Sequence, residues 1–277
     1  MNIRKSFIAA AMCLCALAAG AQGQFYGLNV DKLNLLLSQT EKLPRDNAEL
    51  VLRTTLTALQ QNPKGYHKAL EVIERLGDPA DSLHCEPLYL LGLQHAVESS
   101  ALTASEKTRP QALLASAKKN AVGTAAADLA LTDRNGKAFR LSDISAPFVL
   151  LYFNSPDCDA CQQVKQQMES SATLRKAVDD GRLKVVAVAT GCKEKQWKKA
   201  VYPDWVINGF DKSGQIEQDD VYVLPTQPLF YLLGAERTVL LRNEPSLTRV
   251  ESALGKLAAD PEATTPAQQA ADRKSVV

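Results

Sequence analysis

The strongest constraint in the sequence is Phe148-Val149-Leu150-Leu151-Tyr152-Phe153, an unbroken apolar run of strand length. A strand that alternates apolar and polar residues can leave one side in water. This one has no polar side, so it belongs in the middle of a sheet covered on both faces. The residues that follow are equally restrictive. Asn154-Ser155-Pro156-Asp157 delivers the chain into Cys158-Asp159-Ala160-Cys161, at the head of a helix predicted from about Cys158 to Val178.

Strand and helix patterns alternate around this unit. Asp128 to Thr132 and Ala138 to Leu141 flank Asn135-Gly136, a dipeptide that accepts the positive φ angles of a two-residue hairpin turn. Strands are predicted at Lys184 to Ala189, Leu229 to Leu233 and Val239 to Leu241, with helices at Glu194 to Ala200 and Leu247 to Ala258. This order describes an α/β sandwich, a central mixed sheet flanked by helices.

The residues before Gly123 have a different period. Tyr66, Ala69, Leu70, Ile73 and Leu76 recur at helical spacing and stop at Gly77-Asp78-Pro79. Ala48, Leu52, Leu56 and Leu59 form a second stripe, and Leu33 to Leu37, Leu88 to Val97 and Ala112 to Ala117 suggest further helices. A small all-α domain therefore precedes the α/β one. At 277 residues and 45% apolar composition the chain can fill both cores without metals or disulfides.

Residues 1–21 read as a secretory signal: Arg4 and Lys5, an apolar run from Phe7 to Ala19, then small residues ending at Ala21. The run is short for a membrane span, so residual anchoring is the lesser reading. The expected organisation is a signal at 1–21, a helical domain at 22–118, the α/β domain at 119–258 and a disordered tail at 259–277. Losing Arg4 and Lys5 moves the formal charge from +1 to −1, which leaves no basic field for nucleic acid.

Cleavage also removes Cys13 and Cys15, leaving Cys85, Cys158, Cys161 and Cys192 in a chain working outside the reducing cytosol. Four cysteines allow three pairings, and spacing alone does not choose among them. The chemistry of Cys158 and Cys161 is better defined. Free N–H groups and the dipole at a helix start stabilise a thiolate, the reactive form, and predict a Cys158 pKa below that of a free thiol. Cys161, Val164 and Met168 share one helical face, so Cys161 leans into the core while Cys158 sits at the exposed tip. Cys158 is thereby suited to attack a disulfide and Cys161 to resolve the product. A zinc site would need a second close pair of ligands, which His84, Cys85 and Cys192 do not supply. A purely structural disulfide would leave the placement after a buried strand unexplained.

From Gly123 to about Ala258 the sequence resembles the thioredoxin-like domain of periplasmic thiol-disulfide oxidoreductases, the group that includes cytochrome-maturation reductases. The resembling residues are Ala127-Asp128-Leu129, Asn135-Gly136 and Leu141-Ser142-Asp143, then Val149 to Phe153 running into Pro156-Asp157-Cys158-Asp159-Ala160-Cys161. The resemblance implies a cis-proline before the next strand. Pro228 fits that position better than Pro225, which imitates a Pro-Thr pair three residues too early. Gln227 would then offer its backbone to an incoming peptide, with Pro156 and Asp157 completing the substrate site.

The helical half resembles, more loosely, secreted bacterial proteins with a helical domain of undefined role before such a unit, through Asp78-Pro79, Glu86-Pro87-Leu88-Tyr89 and Lys119 to Gly123. Tyr202 to Asp211 resembles the same group. A peroxidase pattern wants a Pro where Leu151 stands, although Ser155 suits its second requirement.

Two departures matter. Tyr152 occupies the position of thioredoxin's buried acid, and Asp157 replaces the Trp that usually precedes the nucleophile. Asp157 and Asp159 together oppose the helix dipole and raise the Cys158 pKa, which favours a reductase over a disulfide donor. Cys192 follows the Lys184 to Ala189 strand toward the same rim and is a candidate third redox cysteine. A Cys85–Cys192 bridge is another arrangement. His67, His84 and His95 read as surface or capping residues, Trp197 and Trp205 as aromatics able to shape a groove, and Lys193 to Lys199 as a solvated face.

The expected function is thiol-disulfide exchange on protein thiols and disulfides of the cell envelope. It would proceed without a cofactor beyond the Cys158–Cys161 disulfide and without a metal, with electrons drawn from a membrane donor. The competing expectation is an envelope binding protein with a non-catalytic thioredoxin-like domain.

Overall fold

A computed structural model describes residues 45–79 and 81–259. The expected signal, the Leu33 to Leu37 helix and residues 260–277 of the expected tail lie outside them. The chain divides into two compact units, the first ending at Ser116 and the second beginning at Ala117.

The first unit contains α1 (Arg45–Leu59), α2 (Pro63–Leu76), α3 (Glu86–Glu98) and α4 (Ala104–Lys118). Helix α2 starts where Asn62 Oδ1 accepts the Gly65 N–H and Pro63 fits the first turn. It buries Tyr66, Ala69, Val72, Ile73 and Leu76, with Val72 rather than Leu70 on the core face. Helix α4 begins eight residues before the expected Ala112. The cause is a capping box: Thr103 Oγ1 accepts the Glu106 N–H at 3.3 Å, while Glu106 Oε2 accepts the Thr103 N–H at 2.8 Å.

One polar chain leads from the buried Tyr66 out to the surface. Tyr66 OH meets His95 Nδ1 at 2.9 Å, His95 Nε2 meets Thr57 Oγ1 at 3.2 Å, and Thr57 donates to the Arg53 carbonyl at 2.9 Å. The directions close when His95 is neutral with its hydrogen on Nε2. Protonation would place a second hydrogen on Nδ1, so that the Tyr66 hydroxyl would have to turn from donor to acceptor. Burial first, and then the nearby Arg53 charge, lower the His95 pKa from its ordinary 6.5, against a smaller opposing effect of Glu98. A depressed histidine pKa contributes stability that is present above the unfolded value and is lost as pH falls through it. Helical-unit stability should therefore drop below about pH 6.5, read as faster amide exchange in α2 and α3. His67 has a raised pKa and works in the opposite sense, so the decisive comparison is His95→Gln. An unflattened profile in that variant would assign the effect elsewhere.

The second unit is a seven-stranded sheet in the order β2-β1-β5-β4-β3-β6-β7. The strands are β1 (Ala130–Thr132), β2 (Ala138–Arg140), β3 (Phe148–Asn154), β4 (Leu183–Ala189), β5 (Val206–Phe210), β6 (Leu229–Leu233) and β7 (Val239–Glu244). Strand β3 is buried at every position, parallel to β4 and antiparallel to β6. Leu150 and Tyr152 point to one face, packed with Met168, Leu174, Val250 and Leu254. Val149, Leu151 and Phe153 point to the other, with Leu129, Leu141, Ile216 and Tyr222. The first face is covered by α5 (Asp159–Ser170), α6 (Ala172–Asp179) and α9 (Leu247–Ala259); the second face receives the short α8 (Gln215–Gln218).

In the second unit four more local readings differ from the structure. The expected Cys158 to Val178 helix is broken at Ser171, whose hydroxyl accepts the Leu174 N–H and starts α6. The helix expected at Glu194 to Ala200 is only the single turn α7 (Glu194–Trp197). The hairpin loop is longer than two residues. Gly136 alone takes positive φ there, while Asp133 Oδ1 accepts the N–H groups of Asn135 and Lys137. Strand β5 is an addition to the expected strands: Tyr202 to Asp211 enters the sequence reading only for its resemblance. Gly209 lets β1 approach closely: a Cβ there would lie 2.7 Å from Leu131 Cδ1, and the buried leucine would have to shift.

Candidate functional site

Strand β3 carries the chain to Asn154, and the Cys158 N–H donates to the Ser155 carbonyl at 3.2 Å to close a tight turn. Cys158 is the N-cap of α5, in extended conformation, and its Sγ accepts the Cys161 N–H at 3.1 Å. A sulfur thus stands where Ser or Asp usually caps a helix, and it receives an otherwise free donor and the positive end of the helix dipole. Cys158 and Cys161 form a disulfide with Cα atoms 5.1 Å apart. Cys161 is 1% exposed and shares its buried face with Met168 and the half-buried Val164. Cys158 is only partly exposed, a correction to the exposed tip expected for it.

Three side chains fix this first turn. Tyr152 OH donates to the Cys161 carbonyl at 2.6 Å, and its ring stacks on Phe230 with centroids 5.2 Å apart. Burial raises the Tyr152 pKa far above the usual phenol value, so the hydroxyl stays a donor. Gln162 Nε2 donates to the Pro156 carbonyl at 2.8 Å. Asp157 is exposed, and its carboxylate accepts the Gln196 side-chain amide from α7.

Opposite the cysteines, Gln227–Pro228 is the one cis peptide bond among the described residues. Pro228 is buried at the entry to β6, and the Gln227 carbonyl oxygen lies 3.8 Å from Cys158 Sγ. Pro225 and Thr226 are exposed in the preceding loop. The structure therefore brings Gln227, Pro156 and Asp157 around Cys158.

Cys192 does not bond to either cysteine of the motif. It and Cys85 are free thiols. Cys192 lines an open cleft of about 460 Å³ that also takes in Asp157, Gln196 and Glu217. Burial, with the negative charges of Asp157 and Glu217 behind it, pushes the Cys192 thiol up to about 11. At neutral pH it is a protonated thiol, a poor nucleophile. Trp197 is fully buried against Phe210, with ring centroids 5.1 Å apart, and so shapes no groove. Among the described residues no three His, Cys, Asp or Glu side chains gather as metal ligands.

Sequence reasoning missed Asn154, Tyr202, Gln162 and Gln196. Asn154 had a signal, being a polar residue directly after a buried strand. The other three had none, since nothing in their spacing marks which carbonyl or amide they reach.

A thioredoxin-like protein from Bacteroides caccae superposes with a TM-score of 0.79 over 88% of this chain and 91% of that one, at 24% identity. The fold is thioredoxin-like. Among other solved structures, the C-terminal domain of an uncharacterized Bacteroides fragilis protein is 30% identical over 50% of this chain and 99% of its own, with a TM-score of 0.48. The thioredoxin domain of a thiol-disulfide oxidoreductase from Bacteroides vulgatus is 20% identical over 50% of this chain and 97% of its own, with a TM-score of 0.44. No protein-family model and no curated protein matches the sequence. In this thioredoxin-like unit the cysteine pair stands at the start of the helix that follows the central strand.

Proposed function

We propose that the protein is a thiol-disulfide exchange enzyme of the cell envelope, working as a reductase. The observation that carries this reading is the redox-capable pair itself: Cys158 caps α5 with its sulfur on the Cys161 N–H, and a peptide carbonyl, that of Gln227, stands 3.8 Å from it. In the reduced protein the Cys158 thiolate attacks one sulfur of a substrate disulfide. The substrate S–S bond breaks, its other sulfur leaves and takes a proton, and a Cys158–substrate disulfide forms. Cys161 then loses its proton and attacks Cys158 Sγ, releasing the second substrate thiol and leaving the Cys158–Cys161 disulfide. Two electrons pass to the substrate, and a dithiol donor at the membrane returns the pair to its reduced state. Gln227, Pro228, Pro156 and Asp157 form the wall against which the substrate peptide lies, and no cofactor is needed.

Each finer element has its own support. Envelope location rests on the pattern of residues 1–21. The reductase direction rests on Asp157 and Asp159, both exposed beside Cys158, whose charges disfavour the thiolate and make Cys158 a poorer leaving group.

Replacing Cys161 by Ser should trap substrates on Cys158, because the resolving thiol is gone. Reductant-sensitive adducts at Cys158 in envelope extracts are the expected result, together with insulin reduction by the unmodified protein. Neither adducts nor insulin reduction would leave the binding-protein reading in possession. Direction is read from the reduction potential, expected near the thioredoxin end of the scale, about −270 mV, rather than near the −120 mV of strong oxidants.

A further inference from the structure

Asn154 is 2% exposed at the end of an otherwise apolar strand, and every polar atom of its side chain is used. Nδ2 donates to the Tyr152 carbonyl at 3.0 Å and to the Val188 carbonyl on β4 at 3.3 Å. Oδ1 accepts the Tyr202 hydroxyl at 2.5 Å. The Asn154 backbone carbonyl accepts the Thr190 N–H at 3.2 Å, so side chain and backbone both tie β3 to β4 just before the redox turn. Tyr202 lies far from the motif in sequence, in the loop before β5. Its ring packs against the core on the α5 side, with Lys165 Nζ 5.8 Å from the centroid.

We propose that Tyr202 is a positioning residue for the cysteine pair, fixing the end of β3 through Asn154 and hence the turn that aims the Cys161 N–H at Cys158 Sγ. The catalytic consequence rests on the exchange reading above; the positioning itself does not. Only Ser155, Pro156 and Asp157 separate Asn154 from Cys158. The Cys158 N–H bond to Ser155 and the Gln162 bond to Pro156 leave that turn little slack. Without the Tyr202 hydroxyl, Asn154 Oδ1 becomes a buried acceptor with no donor, a state that side chains leave by moving. As the amide moves it gives up Val188, and the strand end shifts. The Cys161 N–H then meets Cys158 Sγ less squarely, and the thiolate loses part of its stabilisation.

The test is Tyr202→Phe in the full chain, which removes one oxygen and keeps the ring. Iodoacetamide alkylation of Cys158 in the reduced protein, followed by peptide mass across pH, reads the thiolate without requiring any exchange activity. The alkylation midpoint should rise by about half to one pH unit, so that the rate at pH values below the midpoint falls roughly three- to tenfold. An unchanged midpoint, whatever happens to the melting temperature, would reduce Tyr202 to a structural residue and overturn the proposal. In an Asn154→Ala background the same change should add nothing, and a further shift of equal size would refute the route through Asn154. A protein that exchanges no disulfides but shows these shifts would sink the proposed function and leave the positioning intact.

Discussion

Cys158→Ser will reduce disulfide exchange to the uncatalysed background, a loss of roughly three orders of magnitude or more in the rate of insulin reduction. The size of the effect follows from chemistry rather than geometry. A serine at this N-cap still accepts the Cys161 N–H and still sits at the positive end of α5. Its hydroxyl is not ionised at neutral pH, and an S–O link cannot replace the mixed disulfide. The fold should survive, because the lost bridge spans a sequence separation of only 3 and closes little chain. An unchanged circular dichroism spectrum together with lost activity is the expected signature. Cys192→Ser is the control: its thiol, pushed up to about 11, holds almost no thiolate at pH 7, and the exchange rate should stay within about twofold. Substantial activity in Cys158→Ser, or its loss in Cys192→Ser, would move the nucleophile to another residue.

The motif was legible because strand and helix signals surround it without interruption. Phe148 to Phe153 has no polar side, and the predicted central strand is β3, buried throughout. The Cys161, Val164 and Met168 spacing identified the buried face of α5, because helical periodicity translates directly into direction. Less legible were the features set by contacts distant in sequence. Strand β5 carries Asn208-Gly209, two residues depleted in strands, between Val206-Ile207 and Phe210; it pairs with β4 and β1, with Gly209 making room for Leu131. The break at Ser171 gave no periodic sign, since α5 and α6 both continue an amphipathic pattern. The site was partly hidden for the same reason. Cys158 and Asp157 are local, but the Tyr202 bond to Asn154 and the Gln196 bond to Asp157 each cross from another segment. In the first unit the Thr103-to-Glu106 capping box was present in the sequence and went unread. There the local rule was sufficient.

The second large effect concerns the platform rather than the chemistry. Leu151 is fully buried in β3, between Val186 on β4 and Tyr231 on β6, on the face away from α5. Leu151→Ala leaves a cavity between three strands that cannot close without breaking their register, so destabilisation of about 2–5 kcal/mol is expected. The measurement is selective, because both tryptophans, Trp197 and Trp205, lie in the second unit. Urea unfolding followed by tryptophan fluorescence therefore reports that unit alone, without assuming that the whole chain unfolds in one step. Lys184→Ala, at an exposed position of β4, should stay within about 0.5 kcal/mol. Because Tyr152 and Phe230 hold α5 from the other face, Leu151→Ala should leave the Cys158 alkylation profile in place. Stability and thiolate reactivity then separate: Leu151→Ala lowers the first alone, and Tyr202→Phe moves the second. A Leu151→Ala protein with an altered profile would mean that the two faces of β3 communicate and that the anchors of α5 do not insulate the redox turn.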